Sequence, residues 1–185
     1  MAFSKKKQKT SARQRQLLEV VDADNRVVGL MPRGQIHEQN LMHRSVFVCL
    51  YNQQKKLFIQ KRSLVRTVNP GCWDLSANGH VRAAESPKEA AIRKLREGLG
   101  ISVSSVRLHT ILPAGPQTGY EFVFLFYAGI SAQVPQPDHR RILQGLFVEE
   151  HELAYMVRSF AEYLTAGLLY FWKQGLLFQK ECPDE

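Results

Sequence analysis

The chain has 185 residues, of which 44% are hydrophobic and 23% charged, with a formal net charge of +8 at pH 7. That balance fits one soluble globular domain with extensions, long enough to bury a core. No apolar run reaches the roughly eighteen residues that span a membrane, and the longest, Phe122–Ile130, has the length of a strand. The charge is unevenly placed: Lys5, Lys6, Lys7, Lys9, Arg13 and Arg15 lie in residues 1–16, which hold no acid. We read 1–16 as a solvated, disordered basic tail. With no interleaved aromatic residues it argues against a nucleic-acid partner, and it lacks the apolar segment of a secretory signal. Cys49, Cys72 and Cys182 follow no metal-ligand spacing, and their odd number fits reduced thiols in the cytoplasm.

Gln16–Asp22 and Val27–Met31 are expected to form a hairpin, turned at Ala23-Asp24-Asn25. A short polar segment, Arg33–Met42, holds His37, with His43 just beyond it. Ser45–Tyr51 reads as a buried strand and Leu57–Arg62 as an alternating one, joined by a turn at Asn52–Lys55. A loop ending Asn69-Pro70-Gly71 leads to two short strands, Trp73–Ala77 and Gly79–Val81. A helix then begins at Ser86-Pro87 with Glu89 placed for a capping box. Ala91, Leu95 and Leu99 give it one apolar face, and Gly100 is suited to end it. Ser104–Leu112 and Tyr120–Ile130 are expected as an antiparallel pair, with Pro113–Gly119 between them as a substrate-facing loop. Ile142–Val148 is the last strand, followed by helices at Glu149–Arg158 and Ser159–Gly175. The second of these either covers the core or offers a face for a homodimer.

One spacing exceeds what an amphipathic helix requires. Gly79, five residues, Glu85, seven residues, Arg93, then Leu95, Glu97, Gly100 and Ile101 resembles the signature of the Nudix family. That signature reads Gly-x5-Glu-x7-Arg-Glu-apolar-x-Glu-Glu-x-Gly-apolar. Upstream, HRSVFVCLY, LFIQKR and PGCWDLSANGH resemble the branch that holds the isopentenyl-diphosphate isomerases and related hydrolases, so the similarity runs over residues 18–150. The resemblance implies an α/β fold, a Nudix α/β/α sandwich with a mixed β-sheet, spanning 17–158 with 159–185 packed on it. It also implies a divalent metal, Mg²⁺ or Mn²⁺, and a small-molecule substrate carrying a diphosphate, such as a nucleoside diphosphate derivative.

The chain departs from that pattern where carboxylates would sit. The family places glutamates at Lys94, Glu97 and Gly98, which steps of three and four put on one helical face. Only Glu97 is kept. Magnesium often takes one or two protein carboxylates, so Glu97 and Glu121 are the expected catalytic and metal-binding pair, with Glu85 as a further ligand or as a brace for Arg93. Gly79, Glu85, Arg93, Glu97 and Gly100 form the frame of the box. His37, His43 and His80, with Glu121, resemble instead the isomerases' His-rich metal site, whose imidazoles suit Mn²⁺ or Zn²⁺ better than Mg²⁺. Asn78 stands where the isomerases carry their essential cysteine, which counts against that reaction. Arg62, Arg82 and Lys94 are candidate phosphate contacts. The expected function is diphosphate hydrolysis. The alternative is a module that binds a diphosphate ligand without turning it over, which Lys94 and Gly98 favour.

Overall fold

The computed structural model describes residues 15–178. All of the expected basic tail except its last two residues lies outside that range, as does Cys182. Strands β1 (Leu17–Val21) and β2 (Val27–Pro32) form the expected hairpin, a separate antiparallel pair. The main sheet has seven strands: β3 (His43–Tyr51), β4 (Leu57–Arg62), β5 (Trp73–Leu75), β6 (Ala77–His80), β7 (Arg107–Leu112), β8 (Glu121–Ile130) and β9 (Ile142–Val148). The central order is β5-β4-β3-β8-β7, with β6 paired to β3 and β9 to β4. β3 and β8 run parallel while their other partners run antiparallel, so the sheet is mixed.

Alternation along β8 explains the layering. Phe122, Phe124 and Phe126 pack on one side with Val46, Val48 and Leu50 of β3. There they meet Ala90, Ala91, Leu95 and Leu99 of helix α2 (Pro87–Leu99). Val123, Leu125 and Tyr127 point the other way. They join Leu153 of α3 (Glu150–Ser159) and Leu168 and Phe171 of α4 (Ala166–Lys173). The apolar run over residues 122–127 is thus buried on both faces of the sheet. The result is an α/β/α sandwich.

Helix α2 starts and stops as its sequence directs. Ser86 caps it, Glu89 closes the capping box, and Gly100 ends it at φ 67°. Two elements differ from expectation. The polar segment after β2 contains a short helix, α1 (Arg33–Glu38), anchored by the fully buried Ile36. The long C-terminal helix is broken: Leu164 bridges Trp73, and Thr165 caps a shorter α4 by accepting a bond from the Leu168 amide. With Leu168 and Phe171 buried, α4 covers the core.

Candidate functional site

Strand register gathers the histidines. β3 lies between β6 and β8, so that Ser45 faces His80 on one side and His43 faces Glu121 on the other. Helix α1 brings His37 against them from outside the sheet. One ligand atom from each of His37, His43, His80 and Glu121 lies within 4.8 Å of the others. His80 Nε2 is 3.1 Å from His37 Nε2 and 3.1 Å from Glu121 Oε1. His43 Nε2 is 3.5 Å from the same carboxylate oxygen.

His37, His80 and Glu121 of this cluster line a cavity of about 320 Å³. Arg33, Arg62, Asp74 and Asn78 also line it, together with Ser45, Phe47 and Gly119. Arg62 is pinned there. It donates to Asp74 Oδ2 at 2.8 Å and to the Val68 carbonyl at 2.9 Å. Asp74 is itself buried, and accepts from Asn78 and Thr165 as well. Gly119, at the end of the expected substrate-facing loop, reaches the cavity rim.

Electrostatics keep the cluster ready for a cation. Burial works to raise the Glu121 carboxyl, but the imidazoles of His43 and His80 outweigh it and hold it well below the usual carboxylate range. Burial, then His80, His43 and Arg33, push His37 down to about 4. Burial also lowers His80, against the pull of Glu121. His37 and His80 are therefore neutral and Glu121 ionised near pH 7.

The residues fit a metal by a specific test. His43 Nδ1 sits 2.9 Å from the Leu41 carbonyl, which can only accept, so this nitrogen carries the hydrogen. In the neutral ring Nε2 is then a bare lone pair, buried, without a hydrogen-bond partner, and 3.5 Å from a carboxylate oxygen. Two acceptors so placed repel unless a cation lies between them. Three nitrogens and one oxygen suit Mn²⁺ or Zn²⁺.

Glu97, by contrast, is enclosed by arginines. Its Oε1 accepts from Arg82 at 3.0 Å, and its Oε2 from Arg141 at 3.0 Å and Arg93 at 3.4 Å. It is not part of the His37–Glu121 group. Both carboxylate oxygens are engaged by arginines. Glu85 braces the loop: Arg93 donates to its two oxygens at 2.5 and 2.6 Å, and the Arg82 amide adds a third bond. Lys94 lies over Gly79, where a Cβ would come within 2.4 Å of its Cε. With φ at +151°, Gly79 is required by its backbone, whereas the flexible end of Lys94 can move aside. Of the three expected phosphate contacts, Arg62 lines the histidine cavity, whereas Arg82 pairs with Glu97 and Lys94 lines a smaller pocket beside Gly98 and Arg141.

Arg33 was not singled out from the sequence. The signal was present, since it stands four residues before His37 and shares its face once the segment is helical. Ser45, whose buried hydroxyl also lacks a partner, carried no sequence signal.

Comparison with known proteins decides the family. The NUDIX domain profile matches residues 41–167. The chain belongs to the Nudix family. This Nudix protein is 32% identical over 145 residues to an isopentenyl-diphosphate Δ-isomerase of Streptomyces griseus, covering 75% of this chain and 73% of that one. It is 39% identical over 94 residues to an uncharacterised Nudix hydrolase of Pseudomonas aeruginosa, covering 51% of this chain and only 56% of that relative's length. A crystal structure from Deinococcus radiodurans superposes with a TM-score of 0.72 at 24% identity, covering 85% and 98% of the two chains. The NUDIX domain of Shewanella oneidensis NrtR, complexed with ADP ribose, gives 0.58 at 16%, covering 72% and 86%. At such identities the structures attest the Nudix fold alone. Among the described residues no helix is long and apolar enough to cross a membrane.

Proposed function

We propose that this Nudix protein hydrolyses the diphosphate of a small organic molecule, and that its working centre is the His37, His43, His80 and Glu121 cluster rather than the box helix. The observation that carries this reading is a metal-competent donor set of which His37, His80 and Glu121 line the same cavity as two arginines, Arg33 and Arg62. Those four residues would hold Mn²⁺ or Zn²⁺, with Mg²⁺ less suited to three imidazoles. When bound, the metal supplies Lewis-acid polarisation of a phosphoryl oxygen and acidifies water. Arg62, fixed by Asp74 and the Val68 carbonyl, offers a charge-assisted contact to phosphate at low ordering cost. Glu121, held ionised, supplies the negative charge that keeps a cation in place. The Asn78 amide is neither an acid nor a base near pH 7, unlike the thiol the isomerases carry there, which counts against isomerase chemistry. The cysteine usage keeps the cytoplasm as the expected location.

A second reading, binding without turnover, is favoured by one observation. Glu97 is consumed by Arg82, Arg93 and Arg141, and Lys94 places a cation on the same helix. The test is phosphate and diphosphate release from nucleotide sugars, dinucleoside polyphosphates, NADH, nucleoside triphosphates and prenyl diphosphates, with Mg²⁺, Mn²⁺ or Zn²⁺. Turnover that is lost in Glu121→Gln and kept in Glu97→Gln supports hydrolysis at the histidine cluster. Tight ligand binding with no turnover across the panel supports the binding module instead.

A further inference from the structure

We infer that Arg33 is a positioning residue that withholds His80 from the metal until an anion enters the cavity, so that metal and diphosphate binding are linked through one hydrogen bond. The inference rests on the metal reading of the preceding section and concerns how that site assembles.

Arg33 Nε donates to His80 Nδ1 at 3.1 Å. Arginine Nε always carries a hydrogen, so the contact requires a bare lone pair on Nδ1. His80 is then neutral with its hydrogen on Nε2, where it points to Glu121 Oε1 and His37 Nε2, each 3.1 Å away. A nitrogen that carries a hydrogen cannot bind a cation. His43 is set the opposite way, because the Leu41 carbonyl holds its hydrogen on Nδ1 and leaves Nε2 bare. His80 is locked by Arg33 in the tautomer whose hydrogen faces the ligand atoms of His37 and Glu121, so the metal site opens only when that hydrogen leaves Nε2.

The lock is reversible in a way the cavity explains. Arg33 lines that cavity, and its terminal nitrogens form no hydrogen bond among the described residues. A diphosphate offers the guanidinium paired, charged acceptors that a neutral imidazole cannot match. Once Arg33 turns to them, the His80 hydrogen is free to reside on Nδ1 and Nε2 becomes a fourth ligand. An anion that recruits Arg33 thus tightens the metal, and by reciprocity the metal tightens the anion.

The test uses the full chain and reads the metal site directly. Long-range ¹H–¹⁵N spectra of the imidazoles identify which ring nitrogen is protonated without any activity. In the metal-free protein His80 is expected with its hydrogen on Nε2 and His43 on Nδ1; with Zn²⁺ and inorganic pyrophosphate together, His80 is expected on Nδ1. Zn²⁺ titration against a competing chelator, with no anion present, is expected to give Arg33→Met and Arg33→Gln a dissociation constant about tenfold lower than the parent protein. A hydrogen on His80 Nδ1 in the metal-free parent overturns the inference. Equal Zn²⁺ affinity in parent and variants overturns the Arg33 assignment and leaves the metal reading standing. No Zn²⁺ binding by any of the proteins overturns the metal reading itself.

Discussion

Replacing Glu85 and Glu97 separately by alanine should expose a bracket centred on Arg93. Arg93 is the buried partner, with its side chain 8% exposed, and it grips Glu85 through both oxygens. Its remaining acceptors are the His80 carbonyl at 3.2 Å and Glu97 at 3.4 Å. Glu85→Ala leaves that guanidinium only the long Glu97 contact and the His80 carbonyl and releases the Arg82 amide, a loss of about 3 kcal/mol. Glu97→Ala removes contacts to Arg82 and Arg141, whose side chains are 44% and 41% exposed, and one long contact to Arg93. Partly exposed pairs contribute little each, so the sum is about 1–2 kcal/mol. In a domain of this size those losses correspond to melting shifts of about 10 °C and about 4 °C. Urea unfolding at pH 7.5 with a chelator present, so that no metal contributes, measures both. A Glu97→Ala loss equal to or greater than that of Glu85→Ala would refute the reasoning.

Three further outcomes follow from local geometry. Gly98→Ala should stabilise by about 0.5–1 kcal/mol in the same unfolding assay, because an added Cβ meets only Ile142 Cδ1, at 3.7 Å, and glycine weakens a helix interior. Thr165→Val should cost about 1–3 kcal/mol, since it removes the α4 cap and a buried bond to Asp74; an unchanged urea midpoint would contradict this. In metal-free protein, His37 at about 4 lies below its unfolded value near 6.5. The unfolded chain then binds the extra proton, so this contribution is whole above pH 6.5 and is lost as pH falls toward 4. Urea midpoints measured between pH 7.5 and 4.5 should decline less steeply in His37→Gln.

The fold was legible because its signals are local. Leu57–Arg62 and Ile142–Val148 matched β4 and β9 to the residue, the apolar run Phe122–Ile130 marked β8 as a strand, and Ser86, Pro87 and Gly100 bounded α2. Helix α1 was harder to read: it has six residues, no side-chain cap and one buried side chain. The break before α4 depends on a bridge from Leu164 to Trp73, a contact between segments far apart in sequence. The site divides on the same line. His43, His80 and Glu121 were readable as candidates from their positions, and the pairing of β3 with β6 and β8 makes them neighbours. The surroundings of Glu97 were not readable, because Arg141 reaches it from 44 residues away and Arg82 from 15. Helical spacing described the face on which Glu97 lies, but not the arginines that tertiary packing brings to it.

The most direct measurement of the central claim is metal stoichiometry in the full chain. Protein stripped by a chelator would be titrated with Mn²⁺ and with Zn²⁺, beside the variants His43→Ala, Glu121→Gln and Glu97→Gln. The account predicts one ion per chain in the parent and in Glu97→Gln, and at least a tenfold weaker site in the other two. Binding that survives His43→Ala and Glu121→Gln but is lost in Glu97→Gln would contradict it and return the metal to the box helix.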